Sequence, residues 1–134
     1  MTPALPPAVD GERFEFDSPA GRLSAYVAGQ GAPLLLVHSI NAAGSVAEVR
    51  TLFEHYAATR TVFALDLPGF GFSERSDRPY TVRLMTDAVL AMRAPIAQRC
   101  GAQPVDVLGL SLGSEFVARA AVEQPTAWRS VALV

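Results

Sequence analysis

Cysteine is almost absent: Cys100 is the only thiol in a chain of 134 residues. That excludes an intrachain disulfide and any metal site built on clustered cysteines, and it fits a reducing, cytoplasmic setting. Excess charge is also missing. A net charge of -2 makes no field that would draw in nucleic acid or an anionic membrane surface. No apolar run approaches the length needed to cross a bilayer. The first residues, Met1-Thr2-Pro3-Ala4-Leu5-Pro6-Pro7, lack the basic and then apolar segments of a secretory signal. There is no internal repeat and no low-complexity tract. Half of the residues are hydrophobic and 18% are charged, which is the balance of a globular chain. A chain this long buries roughly two-thirds of the surface its unfolded form exposes. The expectation is one domain.

Residues 1–11 are rich in proline and are expected to be extended or loose. Glu12 to Asp17 alternates charged residues with Phe14 and Phe16, and Arg22 to Ala28 alternates through Leu23, Ala25 and Val27. With Ser18-Pro19-Ala20-Gly21 between them, the two segments predict a β-hairpin at a sheet edge. Leu34 to Val37 is a continuous apolar run, as in a strand buried on both faces. Val62–Leu65 and Val105–Leu108 are further strands of that kind, and Ser130–Val134 begins another. Between them, residues 46–59 carry Val46, Val49, Leu52, Phe53 and Tyr56 at helical spacing. Residues 81–100 do the same with Val82, Met85, Val89, Met92 and Ile96, and Pro95 is expected to bend or shorten the last turns. A third helix runs from Gly113 to about Gln124. This alternation implies an α/β fold: a mostly parallel sheet with helices on both faces and an antiparallel N-terminal hairpin.

The strongest chemical signal is Gly109-Leu110-Ser111-Leu112-Gly113, placed where an apolar strand meets a helix. Gly-x-Ser-x-Gly in that context is a tight strand-to-helix turn that lifts the serine hydroxyl into the open. Gly109 and Gly113 lack Cβ atoms, so strand and helix can approach closely. The helix that follows offers free N–H groups and the positive end of its dipole to a developing oxyanion. The plainer alternative is a turn with a helix cap. Two other loops also follow strands: His38-Ser39-Ile40-Asn41, and Asp66-Leu67-Pro68-Gly69-Phe70-Gly71-Phe72-Ser73. The glycines of the second are not spaced as Gly-x-Gly-x-x-Gly, and no Gly-Lys-Ser/Thr follows, so no nucleotide cofactor is expected. No metal site is expected either.

In order and spacing, these three segments resemble the α/β-hydrolase superfamily, in its esterase and C–C hydrolase branches, over residues 22–134. The resemblance implies Ser111 as nucleophile and an oxyanion hole formed by the backbone N–H groups of Ile40 and Leu112. It makes His38 a loop-shaping residue, not the base, and Asp66 a loop anchor at a strand end. Ser39 stands where the family usually has glycine. His55 lies within a helix and is expected to be solvated. The implied activity is hydrolysis of an ester or similar small acyl substrate; a non-catalytic binding module of the same fold is the alternative.

A serine hydroxyl needs a base to take its proton. The family order is Ser, then Asp or Glu, then His. No histidine follows Ser111 before Val134. The relay therefore cannot be completed from this chain, which corresponds to a partial, N-terminal portion of the fold. Val131-Ala132-Leu133-Val134 would form an exposed apolar sheet edge, open to association. A portion of a longer hydrolase, a truncated relative without activity, and one half of a two-chain assembly all fit these features.

Overall fold

The computed structural model describes residues 6–42 and 44–134. Six strands form one sheet: β1 (Glu12–Ser18), β2 (Gly21–Ala28), β3 (Pro33–Val37), β4 (Thr61–Asp66), β5 (Val105–Gly109) and β6 (Trp128–Leu133). Their order across the sheet is β1-β2-β4-β3-β5-β6. β1 and β2 form the expected hairpin, and β2 continues antiparallel onto β4. β4, β3, β5 and β6 are mutually parallel. The helices are α1 (Arg50–Tyr56), α2 (Val82–Ala91), α3 (Arg93–Cys100) and α4 (Gly113–Glu123).

The period of two in each strand sorts its side chains onto two cores. Leu35 and Val37 of β3 share one face with Phe63 and Leu65 of β4 and with Leu23, Ala25 and Val27 of β2. Met85, Val89, Met92 and Ile96 of the α2–α3 segment cover that face, together with Phe116 and Val117 of α4. Leu34, Leu36, Val62, Ala64 and Tyr26 point the other way, against Val46, Val49 and Phe53. β3 and β4 are buried along their whole length, which is why they are continuous apolar runs with no alternation. Each of the larger fully buried side chains stabilises the fold by roughly 1.5–3 kcal/mol.

Two helices differ from the sequence expectation. The stripe over residues 81–100 is carried by two helices, broken at Met92. Pro95 has no N–H to give, and its ring would collide with the carbonyl four residues earlier, at Ala91. Starting a new helix at Arg93 puts Pro95 in a first turn, where a missing N–H costs little. The segment 46–59 is shorter than its pattern. Ser45 caps a 3-10 turn over Val46–Val49, and α1 ends at Tyr56. Thr59 and Arg60 N–H groups then close on the Tyr56 carbonyl and turn the chain into β4.

Near the N-terminus, Val9 is buried in the second core and the Ala8 N–H donates to the Tyr26 hydroxyl at 3.1 Å. Residues 1–5, which share the loose reading of 1–11, lie outside the described residues. At the other end, β6 is the last strand of the sheet, with Val131 and Leu133 exposed. Asp106 of β5 ties this side together: its carboxylate accepts from Arg129 and Ser130 of β6 and from Arg60 before β4. The Arg129 guanidinium, with Ser130 and Arg60, holds the Asp106 carboxyl well below the usual carboxylate range.

Candidate active site

The strand order β4-β3-β5 brings three carboxyl ends side by side. Asp66 ends β4, His38 follows β3, and Ser111 follows β5. In open α/β sheets this is where ligands bind.

Ser111 sits in the turn between β5 and α4 with φ of +53°, the only positive φ on a non-glycine among the described residues. Its side chain is exposed, and the hydroxyl has no hydrogen-bond partner among the described residues. The turn is tied on several sides. The Leu110 N–H donates to the Val37 carbonyl, the Gly113 N–H to the Leu110 carbonyl, and the Ser111 N–H to the Val134 carbonyl. The Ser114 hydroxyl donates back to the Gly109 carbonyl at 2.7 Å. A Cβ on Gly109 would lie 2.8 Å from the Ser114 Cα, so strand and helix approach at a distance only glycine permits.

Ile40 and Leu112 line one cavity of about 800 Å3, whose walls are otherwise mostly apolar: Phe70, Tyr80, Met85 and Phe116. Among the described residues, neither the Ile40 N–H nor the Leu112 N–H is taken up by a backbone acceptor. Leu112 is the N-cap of α4, so its N–H stands at the positive end of the helix dipole. Ile40 and Leu112 thus share one concavity, and Ser111, the residue before Leu112, is not among its lining residues.

His38 is fully buried. Its Nδ1–H donates to the Ser39 carbonyl at 2.7 Å, and its Nε2 accepts from the Leu67 N–H at 3.0 Å. Those partners fix the neutral tautomer and leave no ring nitrogen for Ser111. Burial pushes its pKa down, against the pull of the Ser39 carbonyl, Asp66 and Glu48. Asp66 is buried as well. Its carboxylate accepts from the Val46 and Phe72 N–H groups, each at 3.1 Å, and its carbonyl accepts from the Ser73 hydroxyl. Burial raises its pKa. His38 and Asp66 therefore join the loops after β3 and β4 to their surroundings. His55 is exposed on α1, against Tyr56.

Two contributors escaped the sequence reading. Glu48 accepts from the Ser39 hydroxyl at 2.6 Å and so anchors the loop that carries Ile40. Arg75 lines the same cavity as Ile40 and Leu112. Neither lies in a motif; each reaches the site only through the folded path of its loop. Among the described residues, no group of three or more His, Cys, Asp or Glu could hold a metal ion, and no helix is long and apolar enough to cross a membrane.

Curated proteins gave no match to this sequence. Solved structures did. The chain is similar to an N-formylmaleamic acid deformylase from Pseudomonas putida S16, with 26% identity and a TM-score of 0.76 over 91% of this chain and 46% of that one. It is similar to an epoxide hydrolase from an endophytic Streptomyces, with 25% identity and a TM-score of 0.78 over 92% of this chain and 36% of that one. An E-2-(acetamidomethylene)succinate hydrolase shares the fold at 23% identity and a TM-score of 0.78, over 90% of this chain and 43% of that one. The chain thus spans less than half the length of each of these structures. The alpha/beta hydrolase fold family matches residues 32–134, most of the chain. With the sheet order and the strand-to-helix turn at Ser111, that match establishes that the chain belongs to the alpha/beta hydrolase fold family.

Proposed function

We propose that this chain carries the nucleophile and oxyanion hole of a serine hydrolase acting on an ester or similar small acyl substrate. The observation that carries the reading is the backbone of Ser111: an exposed serine held at φ of +53° between β5 and α4. An L-residue is driven to that conformation at a cost of roughly 1–2 kcal/mol, and such strain gathers at functional positions. In the proposed reaction the Ser111 Oγ attacks the acyl carbon while a base takes its proton. The carbonyl electrons move onto oxygen, where the N–H groups of Ile40 and Leu112 hold the charge. Collapse of the adduct expels the leaving group with a proton from the base, and water then releases the acyl group. Removal of one oxyanion donor costs such reactions about 100- to 1000-fold in rate.

In this reading the base lies outside these residues, supported by the occupied ring nitrogens of His38, the place of His55 on α1, and the lack of a histidine between Ser111 and Val134. The reading therefore assigns the histidine and its acid to sequence beyond Val134 and gives the 134-residue chain by itself little or no turnover. A fluorophosphonate probe tests both statements. In a form carrying sequence beyond Val134, the probe labels Ser111, and Ser111→Ala abolishes the label. An intact fold with no label there overturns the nucleophile. Turnover by the 134-residue chain at the level of a complete hydrolase, abolished by Ser111→Ala, overturns the absent base.

A further inference from the structure

A second cavity, of about 730 Å3, opens beside the first and shares Ile40, Gly69, Phe70 and Arg75 with it. The two differ in charge. Asp77 and Glu115 are among the residues lining the first, Glu115 in an ion pair with Arg119. Arg50 and Arg75 are among the residues lining the second, Arg50 in an ion pair with Glu54, and its single carboxylate, Asp66, is turned onto the Val46 and Phe72 N–H groups. Arg75 stands on the wall common to both cavities, so an anion at its side chain meets fewer carboxylates from the side of the second cavity than from the side of the first.

Arg75 is set apart from most arginines of the chain. The sequence has no lysine, and eleven arginines supply its cations. Nine of them pair with a carboxylate: Arg13, Arg22, Arg50, Arg60, Arg78, Arg83, Arg99, Arg119 and Arg129. Arg93 bonds to Gln124 instead. Arg75 has no carboxylate partner among the described residues. Its Nε and Nη2 both donate to the Gly71 carbonyl, at 3.2 and 2.7 Å. A guanidinium has five N–H donors in a rigid plane. Spending two on Gly71 fixes that plane against its own loop and leaves the edge between Nη1 and Nη2 open. That edge is a fork matched to the two oxygens of a carboxylate.

We propose that the second cavity is a carboxylate subsite anchored by the free edge of Arg75, so that the acyl substrate carries a carboxylate on the side opposite its apolar group. The substrate assignment rests on the reading of Ser111 as nucleophile; the binding site itself does not. Ile40 forms a wall of both cavities, so a short dicarboxylic half-ester can present its ester carbonyl at Ile40 while its free carboxylate reaches Arg75.

The test is a calorimetric titration of the Ser111→Ala protein with glutarate, with its neutral counterpart glutaramide, and with inorganic phosphate. Glutarate is expected to bind at least tenfold more tightly than either of the others. Arg75→Gln is expected to weaken glutarate about tenfold or more, as for loss of a charge-assisted fork. Arg93→Gln should leave binding unchanged. Arg75 is exposed, and a matching urea midpoint for Arg75→Gln shows that the fold is kept. Failure of glutarate to bind, equal binding of glutaramide, tighter binding of phosphate, or indifference to Arg75→Gln each overturns the subsite. Because Ser111 is already removed, the titration is independent of the chemistry. Fluorophosphonate labelling of Ser111 without glutarate binding sinks the subsite alone, whereas Arg75-dependent binding without labelling sinks the nucleophile alone.

Discussion

A methyl group placed on Gly113 would lie 2.3 Å from the carbonyl oxygen of His38. The first turn of α4 thus rests directly on the backbone of the loop that follows β3. The contact matters because Leu112 belongs to one side of it and Ile40 to the other, and both face the same cavity. The spacing between the two halves of the proposed oxyanion hole is set by backbone on backbone, with no side chain to adjust.

Gly113→Ala is therefore expected to destabilise the protein. In an ordinary helix the change from glycine to alanine is favourable by about 1 kcal/mol. Here the added Cβ meets backbone oxygen, which cannot swing aside as a side chain would, and overpacking of this kind costs about 1–3 kcal/mol. The sign alone decides: a higher urea midpoint for Gly113→Ala would show that the loop yields freely. In a form carrying sequence beyond Val134, the variant should also lose fluorophosphonate labelling, since the push falls on the segment leading to Ile40.

Ser111 supplies a second prediction, because its backbone conformation favours glycine. Ser111→Gly relieves the strain of a left-handed L-residue, offset in part by the greater freedom of glycine in the unfolded chain. The expected net gain is roughly 0.5–1 kcal/mol. Ser111→Ala keeps its Cβ and should show no such gain. Both remove the hydroxyl. Equal urea midpoints for the two variants would mean that the turn is not strained.

Some elements of the fold are marked by a single local pattern. β3 and β4 are legible because a strand covered on both faces must be apolar throughout, as Leu34–Val37 and Val62–Leu65 are. The turn between β5 and α4 is legible because Gly109 and Gly113 are both needed by close backbone approach. The break between α2 and α3 is only half legible: Pro95 announces a disturbance, but whether a helix bends or restarts depends on how Met92 and Ile96 both reach the core. What was hidden depends on residues far apart in the chain. Asp106 gathers Arg60, 46 residues away, and Arg129, 23 residues away, only after β4, β5 and β6 are in register. Glu48 meets Ser39 only when the loop after β3 folds back on the 3-10 turn. Nothing in the one-dimensional pattern marks such partners.

His38 gives the third prediction, in the pH dependence of stability. Burial holds its folded-state pKa below the ordinary value of about 6.5. Between those two values the unfolded chain binds a proton that the folded chain does not. The contribution of His38 is therefore complete above about pH 6.5 and is lost as pH falls toward the folded value. The structural cause is specific. A proton on Nε2 would break the hydrogen bond from the Leu67 N–H and leave two donors facing each other. Glu48, with an oxygen 3.9 Å from Nδ1, and the nearby Asp66 soften this penalty without removing it. Asp66 itself acts in the opposite sense: its raised pKa contributes stability at low pH that is lost as pH rises through the folded value. The two groups are coupled, since the His38 charge lowers the Asp66 pKa and the Asp66 charge raises that of His38, so a comparison of wild type with His38→Gln reads the histidine together with that coupling. At pH 8, His38→Gln should be less stable by roughly 1–3 kcal/mol, the cost of disturbing buried hydrogen bonds. From pH 7 to pH 5 the gap should narrow, because wild type loses stability faster than the variant. Urea midpoints measured across that range that keep a constant gap would show that His38 holds the Leu67 N–H equally well in either protonation state.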